Sequence, residues 1–132
     1  MRAVDAPRIV NGLDLVFYWV SDMDRAVAFY RDLLGLALGR RDGENWAEFE
    51  AGGRRFALHG VIEGEAVAPG GATAVFSVDD LDRARTELLA HGVAFEHEGD
   101  VQGYARFASC RDPDGNTLQL IEYGVPRSDG SV

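Results

Sequence analysis

An internal repeat constrains this chain more than any other feature of its sequence. Residues 20–26 (VSDMDRA) recur as residues 78–84 (VDDLDRA), with five of the seven positions identical. Downstream, residues 34–38 (LGLAL) are echoed by residues 91–95 (HGVAF). A repeat of about half the chain predicts two copies of one supersecondary unit. Two such copies should be related by a rotation, so a pocket can form between them and its residues can be compared in pairs.

Composition predicts a single globular domain in a reducing compartment. The chain has 132 residues, of which 46% are hydrophobic and 27% are charged, values typical of a domain with its own core. The sequence contains no run of about 18 apolar residues, so no membrane span is predicted. Residues 1–7 lack the apolar run of a signal peptide. The only cysteine, Cys110, excludes an internal disulfide and is expected to be buried and inert. We therefore expect a cytoplasmic protein.

The charge balance argues against nucleic acid as a partner. The formal net charge is −9, from 22 acidic and 13 basic residues, whereas binding to a phosphate backbone needs a basic surface. An acidic surface is compatible with a cationic ligand. The scattered distribution of the acidic residues favours a solubilising role over a cationic ligand.

The first unit is predicted at residues 13–60. Residues 13–20 are rich in strand formers. Ser21 or Asp22 can cap a following helix, and Gly35 can end it in a left-handed conformation. The apolar residues of that helix fall on one face at a spacing of 3.6: Met23, Ala26, Val27, Tyr30, Leu33 and Leu34. Three strands are expected to follow at about 36–42, 45–51 and 54–60, separated by glycine-containing hairpin turns.

The second unit repeats this order at residues 73–123, after a connector at 61–72 that contains Gly and Pro. A strand at 73–78 precedes a helix that is capped by Asp79 or Asp80 and ends at Gly92. Strands are expected near 93–98, 104–110 and 117–122, followed by a polar tail at 124–132. The sequence thus predicts one α+β domain over residues 1–132, built from two βαβββ units.

Two motifs in this order carry a resemblance to a known family. The first helix contains Ala28-Phe29-Tyr30 followed by Leu33-Leu34-Gly35, and the last strand follows the sequence DPDGNTLQLIE at residues 112–122. Together with the two βαβββ units, they make residues 13–123 resemble the vicinal oxygen chelate superfamily, which includes glyoxalase I, extradiol dioxygenases, fosfomycin-resistance transferases and bleomycin-resistance proteins. The resemblance implies that the sheets curl into a cup, often with help from a second chain, so we expect a homodimer. It does not specify an activity, because one fold can host several chemistries.

The resemblance also implies where metal ligands would lie. Metal-dependent members place one ligand on the first strand and one on the fourth strand of each unit. Carried onto this sequence, these positions are Leu15, His59, Thr73 and Gln119. Only His59 is a good ligand for a divalent cation, and no carboxylate is present to neutralise the charge. We therefore predict no cofactor, with a divalent metal as the alternative.

Strand alternation predicts which side chains line the cup. The faces toward the helices should carry Val16, Tyr18, Val20, Phe76, Val78, Leu118 and Leu120. The opposite faces should carry Leu15, Phe17, Trp19, Ala57, His59, Thr73, Val75, Ser77, Thr117, Gln119 and Ile121. The candidate ligand-binding residues are Phe17, Trp19, Trp46, His59, Thr73, Tyr104 and Gln119. Alternation leaves open which way Trp46 and Tyr104 face. Glu48 and Glu50 are expected on a solvated outer face, with the alternative that one of them faces a cationic substrate.

These observations favour a protein that binds or sequesters a small organic molecule in an apolar, aromatic cup without a metal. One alternative is a metal-dependent lyase, isomerase, transferase or dioxygenase of the same superfamily. Another is a metal-free enzyme in which His59 acts as a general acid or base, since histidine suits that work at neutral pH. His59 could instead be structural, and Phe17 and Trp19 could pack in a core or an interface. The expected partners are the small molecule and a second copy of the chain, with no nucleic acid and no membrane.

Overall fold

The computed structural model describes residues 14–61 and 65–124 of the chain. The first unit consists of strand β1 (Leu15–Val20), helix α1 (Met23–Val27) with a π-helical continuation (Ala28–Leu33), and strands β2 (Ala37–Asp42), β3 (Trp46–Ala51) and β4 (Arg54–Gly60). The predictions for Leu13, for connector residues 62–64 and for the tail from residue 125 lie outside the described residues.

The second unit consists of strand β5 (Ala74–Ser77), helix α2 (Leu81–Ala90), and strands β6 (Phe95–Val101), β7 (Ala105–Arg111) and β8 (Thr117–Tyr123). Each unit forms one four-stranded mixed sheet. Sheet A has the order β1-β4-β3-β2, and sheet B has the equivalent order β5-β8-β7-β6. The predicted α+β class with two βαβββ units is confirmed. No helix among residues 14–61 and 65–124 is long and apolar enough to cross a membrane.

Both helices begin at the aspartates that the repeat singled out. The side chain of Asp22 accepts a hydrogen bond from the backbone N–H of Arg25 at 3.0 Å, and that of Asp80 accepts one from the backbone N–H of Arg83 at 3.1 Å. These bonds satisfy N–H groups that a helix N-terminus leaves free. After each helix, Gly35 and Gly92 have φ near +83°, a conformation that glycine adopts without steric cost.

The first helix differs from its prediction because its second half is π-helical. The backbone N–H of Leu34 donates to the carbonyl of Phe29 at 3.0 Å, five residues earlier. The first unit has one residue more than the second between the capping aspartate and the glycine, and a π-helical turn absorbs such a residue. The wider turn buries the adjacent side chains of Phe29 and Tyr30 together, whereas a spacing of 3.6 placed only Tyr30 on the buried face.

The two units share one buried cluster. The rings of Phe56 in β4 and Phe76 in β5 lie 5.3 Å apart, so contact between the units runs through the buried faces of both sheets. The hydroxyl of Tyr18 donates to the carbonyl of Thr117 at 2.7 Å and accepts from the backbone N–H of Ala74. Four of the side chains predicted to face inward are buried: Tyr18, Val20, Leu118 and Leu120. The other three are half-buried: Val16, Phe76 and Val78.

A second junction between the units forms around Asp112, the first residue of the DPDGN turn. Its carboxylate accepts hydrogen bonds from the hydroxyl of Tyr30 at 2.8 Å and from the side-chain amide of Asn116 at 3.0 Å. It also accepts from the backbone N–H groups of Asp114 and Asn116. Burial, and then the neighbouring Asp112 carboxylate, raise the pKa of Tyr30 far above its usual value, so its hydroxyl stays protonated and donates. The motif therefore ties the first helix to the second unit.

Candidate functional site

Four aromatic rings form a cluster on the face of sheet A that points away from the core. Trp19, His59 and Trp46 are cross-strand neighbours on β1, β4 and β3. The ring of His59 lies 4.3 Å from that of Trp19, 5.5 Å from that of Trp46 and 5.5 Å from that of Phe17. Phe17 and Trp19 remain 39% and 45% exposed. We refer to Phe17, Trp19, Trp46 and His59 as the aromatic cluster; it offers a partly exposed apolar surface.

The row of residues beside the cluster shows how the strands make room for it. Phe17, Ala57 and Glu48 are cross-strand neighbours, one row away from Trp19, His59 and Trp46. Ala57 is fully buried although it lies on the outer face, between its cross-strand neighbours Phe17 and Glu48. A small residue between bulky neighbours lets aromatic side chains lean over the strand.

Glu48 belongs to this face, so its expected position on a solvated outer surface is wrong. Its side chain is only 18% exposed. One carboxylate oxygen accepts from the indole N–H of Trp46 at 2.8 Å, and the other accepts from the guanidinium of Arg55 at 3.2 Å. The hydrogen bond from Trp46, followed by that from Arg55, lowers the pKa of Glu48. The carboxylate is thus ionised, already paired, and positioned to hold the Trp46 ring.

The ring of His59 has one nitrogen engaged with the backbone. Its Nδ1 lies 2.9 Å from the carbonyl oxygen of Gly60. A carbonyl oxygen can only accept, so this contact assigns the proton of the neutral ring to Nδ1. The other nitrogen, Nε2, is then an acceptor. The geometry equips His59 to accept a hydrogen bond or a proton within an otherwise apolar surface.

The outer face of sheet B carries aliphatic, amide and hydroxyl side chains in the row that contains Gln119, and Phe107 lies in the next row. Val75, Gln119 and Ser109 are cross-strand neighbours, and the amide of Gln119 donates to the hydroxyl of Ser109 at 3.4 Å. Val75 is exposed, as is Thr73 just before β5. Tyr104 lies in the turn before β7, where its exposed ring packs 5.4 Å from that of Tyr123.

The structure of one chain therefore separates the seven candidate residues into two groups. Phe17, Trp19, Trp46 and His59 meet on sheet A, whereas the other three lie in the second unit: Thr73, Tyr104 and Gln119. His59 and Gln119 were expected to face one space. Across residues 14–61 and 65–124, no hydrogen bond, ion pair or ring contact joins the aromatic cluster to an outward-facing side chain of sheet B.

The sheet registers also correct which residues are equivalent in the two units. Trp19 and Ser77 each lie three residues before the capping aspartate, which makes Phe17 equivalent to Val75. Phe17 pairs with Ala57, and Val75 pairs with Gln119. Ala57 is therefore the counterpart of Gln119, and His59 is the counterpart of Ile121. The position of His59 in the predicted metal-ligand set is therefore wrong by two residues; His59 and Gln119 each follow an inward-facing leucine, which makes them look equivalent in the sequence.

The corrected positions do not fit a divalent metal. By the same equivalence, the four positions at which the resemblance places metal ligands become Leu15, Ala57, Thr73 and Gln119. The side chains of Leu15 and Ala57 carry no donor atom. The hydroxyl of Thr73 and the amide of Gln119 are neutral donors and poor partners for a dication. Over the described part of the chain, no three His, Cys, Asp or Glu side chains are grouped as metal ligands would be. We derive no chemical step through a metal at this site.

A groove with a volume of about 840 Å³ lies between the units, apart from the aromatic cluster. It runs along the free edge of β5 and is bounded on the other side by residues 33–37 and 50–56. None of the four cluster residues lines it. The periodicity of the separate elements does not predict this groove, because it arises only from how the two units pack.

The sequence comparisons give a family and a curated relative. A family model described as Glyoxalase/Bleomycin resistance protein/Dioxygenase superfamily matches residues 12–120. The chain is 31% identical over 121 residues to the metallothiol transferase FosB of Shouchella clausii, an alignment that covers 85% of this chain and 80% of FosB.

Solved structures show the same architecture. The antibiotic binding protein TnmS3 from Streptomyces is 25% identical, with a TM-score of 0.67 over 89% of this chain and 99% of that protein. A glyoxalase family protein from Bacillus anthracis superposes with a TM-score of 0.71 over 89% of this chain and 99% of that protein. At 18% identity, the second likeness concerns the fold alone.

Proposed function

Because the chain belongs to the glyoxalase/bleomycin resistance protein/dioxygenase superfamily, we propose that it binds a small organic molecule with a flat apolar body, without a metal, on the aromatic cluster. The observation that carries the proposal is the cluster itself: four rings within stacking distance on one outward face, two of them well exposed. Exposed aromatic side chains in such a group are typical of ligand-binding surfaces.

The chemistry of the surface favours a ligand held by stacking rather than by charge. Glu48 is the carboxylate next to the rings, and both of its oxygens are engaged by Trp46 and Arg55. A cationic ligand would therefore have to compete with an existing pair. Aromatic pairs contribute about 0.5–1.5 kcal/mol beyond the area that they bury, so a flat ring on this surface gains from several partners. Nε2 of His59 supplies one directional hydrogen bond.

We further propose that a second copy of the chain in the cytoplasm completes the site. On the outer face of sheet B, Val75 and Tyr123 are 51% and 54% exposed. Exposed apolar side chains on the outer faces of both sheets favour an arrangement in which sheet B of one chain covers sheet A of another. Analytical ultracentrifugation should show a dimer. Phe17→Glu and Val75→Glu, one on each face, should both give monomers; a monomeric parent protein would contradict this part of the proposal.

Binding is tested by titrating the protein with planar aromatic compounds, including antibiotics, since TnmS3 is an antibiotic binding protein. Tryptophan fluorescence and calorimetry should detect binding that is unchanged by EDTA. Trp19→Ala should weaken it about tenfold. Leu89→Ala is the matched control, because Leu89 is exposed on α2, and it should bind normally. Binding that requires an added metal, or that survives Trp19→Ala unchanged, would refute the proposal.

A second candidate, a metal-free enzyme, rests on the free Nε2 of His59. In that case His59 would move a proton on a ligand stacked against Trp19. Cys110 does not compete for a catalytic role, since burial raises the pKa of its thiol to about 11. His59→Gln should then abolish turnover of an identified substrate while leaving its binding within about threefold. Full turnover by this variant would exclude the enzymatic role.

A further inference from the structure

We propose that the groove between the units is a second binding site, and that it takes amphipathic organic anions such as medium-chain carboxylates. The proposal does not depend on the ligand of the aromatic cluster, because none of the four cluster residues lines the groove; Val75 and Tyr123, on the face proposed to contact a second copy, do line it. The proposal rests on the shape of the groove, the apolar character of its walls and one basic side chain at its rim.

The size and walls of the groove suit an apolar chain. Its volume of about 840 Å³ falls in the range of about 300–1,000 Å³ that is usual for small-molecule sites. The walls are formed mainly by aliphatic and aromatic side chains from both units, and those that keep some exposure include Val16, Leu33, Val75, Phe76 and Ile121. Apolar surface left in contact with water favours an apolar occupant.

The charged residues at the rim indicate which head group that occupant carries. Glu50 accepts from the backbone N–H of Gly53 at 2.8 Å, and Glu87 accepts from Arg83 at 3.3 Å. Arg55 is paired with Asp14 at 2.8 Å and with Glu48. Within residues 14–61 and 65–124, the guanidinium of Arg54 has no acidic partner. Arg54 is therefore the basic group at the rim that is free to pair with an anionic head group, and Glu50, which has no basic partner among the described residues, is an acidic group on the same rim.

Hydroxyl groups supply further donors to an anionic head group. Thr73, Ser77 and Tyr123 also line the groove. No hydrogen bond joins their hydroxyls to another group in the part of the chain that the structure describes. A carboxylate accepts hydrogen bonds from both guanidinium and hydroxyl donors. A preference for an anion would not follow from the whole protein, whose net charge of −9 favours cations.

The test uses the full chain and two probes that differ in the sign of the head group, dodecanoate and dodecyltrimethylammonium, both below their micelle concentrations. Calorimetry should show one dodecanoate per chain, bound at least tenfold more tightly than the cation. Shortening the carboxylate should weaken binding about three- to fourfold per methylene group. Equal affinity for the two probes, or no saturable binding of dodecanoate, would overturn the proposal.

Reversing the charge of Arg54 tests whether its side chain binds the carboxylate head group of dodecanoate. Arg54→Glu should reduce dodecanoate affinity about tenfold and improve that of the cation. Arg31→Glu is the matched control, because Arg31 is an exposed arginine outside the groove, and it should change neither affinity by more than about twofold. An equal loss in both variants would show a general charge effect and would contradict the assignment.

Two more variants locate the apolar chain. Ala84→Trp places a large ring at the wall of the groove and should abolish dodecanoate binding; its folding is checked by circular dichroism. If that variant does not fold, the Arg54 and Arg31 pair decides the outcome. Trp19→Ala should leave dodecanoate affinity unchanged even though it weakens binding to the aromatic cluster. Loss of dodecanoate binding in Trp19→Ala would place the probe on the cluster and refute the groove site.

Discussion

Sheets A and B have the same strand order and the same helix caps, yet their outer faces differ at nearly every equivalent position. Trp19, His59 and Trp46 form one row on sheet A. The equivalent row on sheet B contains Ser77, Ile121 and Phe107. The next row changes as well, since Phe17, Ala57 and Glu48 correspond to Val75, Gln119 and Ser109.

The buried faces show the opposite behaviour. Leu58 and Leu120 are equivalent, and both are buried. Asp22 and Asp80 make the same capping bond. Packing limits what a buried position accepts, whereas an outer face is free to differ. Sheet A thus carries clustered rings on its outer face, whereas the equivalent rows of sheet B carry amide, hydroxyl and aliphatic side chains beside Phe107.

The largest expected effect tests whether the two buried faces form one core. Leu58→Ala and Leu120→Ala should each lower the free energy of unfolding by about 2–5 kcal/mol, because each leaves a cavity in a shared cluster. Urea denaturation followed by circular dichroism should show a single transition in both. Leu89→Ala, at an exposed position, should change stability by less than about 0.5 kcal/mol. Separate transitions for the two units would contradict a common core.

The next largest effect concerns the link between the first helix and the second unit. Tyr30→Phe removes one donor from the buried carboxylate of Asp112 and should cost about 1–3 kcal/mol in the free energy of unfolding. The matched control is Tyr123→Phe, since that tyrosine is exposed and should be close to neutral. Thermal or urea unfolding measures both. Equal stability of the two variants would show that this junction does not hold the units together.

A smaller effect tests the symmetry of the helix starts. Asp22→Ala and Asp80→Ala each remove one capping hydrogen bond and should each cost about 1 kcal/mol. The double variant should show the sum, because the two caps are distant and share no partner. Asp79→Ala, next to a cap but not making its bond, is the control. A much larger effect at one cap than at the other would mean that the two helix starts are not equivalent.

The smallest expected effect is a pH dependence caused by Glu48. Its counterpart on sheet B, Ser109, has a hydroxyl group and cannot cause such a dependence. The pKa of Glu48 is lowered in the folded protein, so its ionised form stabilises the fold above the ordinary value of about 4.3, and this contribution is lost as the pH falls through the lower folded value. The emission of Trp46 should therefore be constant from about pH 5 upward and should change only below about pH 4.

This measurement is made in a Trp19→Phe background, because the chain has two tryptophans. Glu48→Gln keeps an acceptor for the indole but cannot titrate, so its acid transition should disappear. A transition that persists in Glu48→Gln would assign it to another group.

Much of the architecture was predictable from local patterns. The bounds of β3 and β4 differ from the predicted strands by at most one residue, because alternation and glycine turns are local signals. The outward position of Phe17 and Trp19 follows from alternation for the same reason. The extra residue between Asp22 and Gly35 was a signal for the π-helical turn, but periodicity alone does not interpret it.

The site was only partly predictable. Alternation could not orient Trp46, and it misplaced Glu48, because the position of β3 beside β4 depends on a hairpin register that composition does not reveal. The same limitation made His59 appear to be the partner of Gln119. Hydrogen-bond register resolved both questions, since it states which residues are direct neighbours across strands.

The repeated sequence by itself determined two βαβββ units, their capped helices and the apolar side of each sheet, because these depend on residues close together in the chain. Only the tertiary structure decided that the units share one core, that four rings converge on sheet A, and that a groove with Arg54 at its rim separates the units. These features depend on contacts between residues far apart in sequence, which local propensity does not encode.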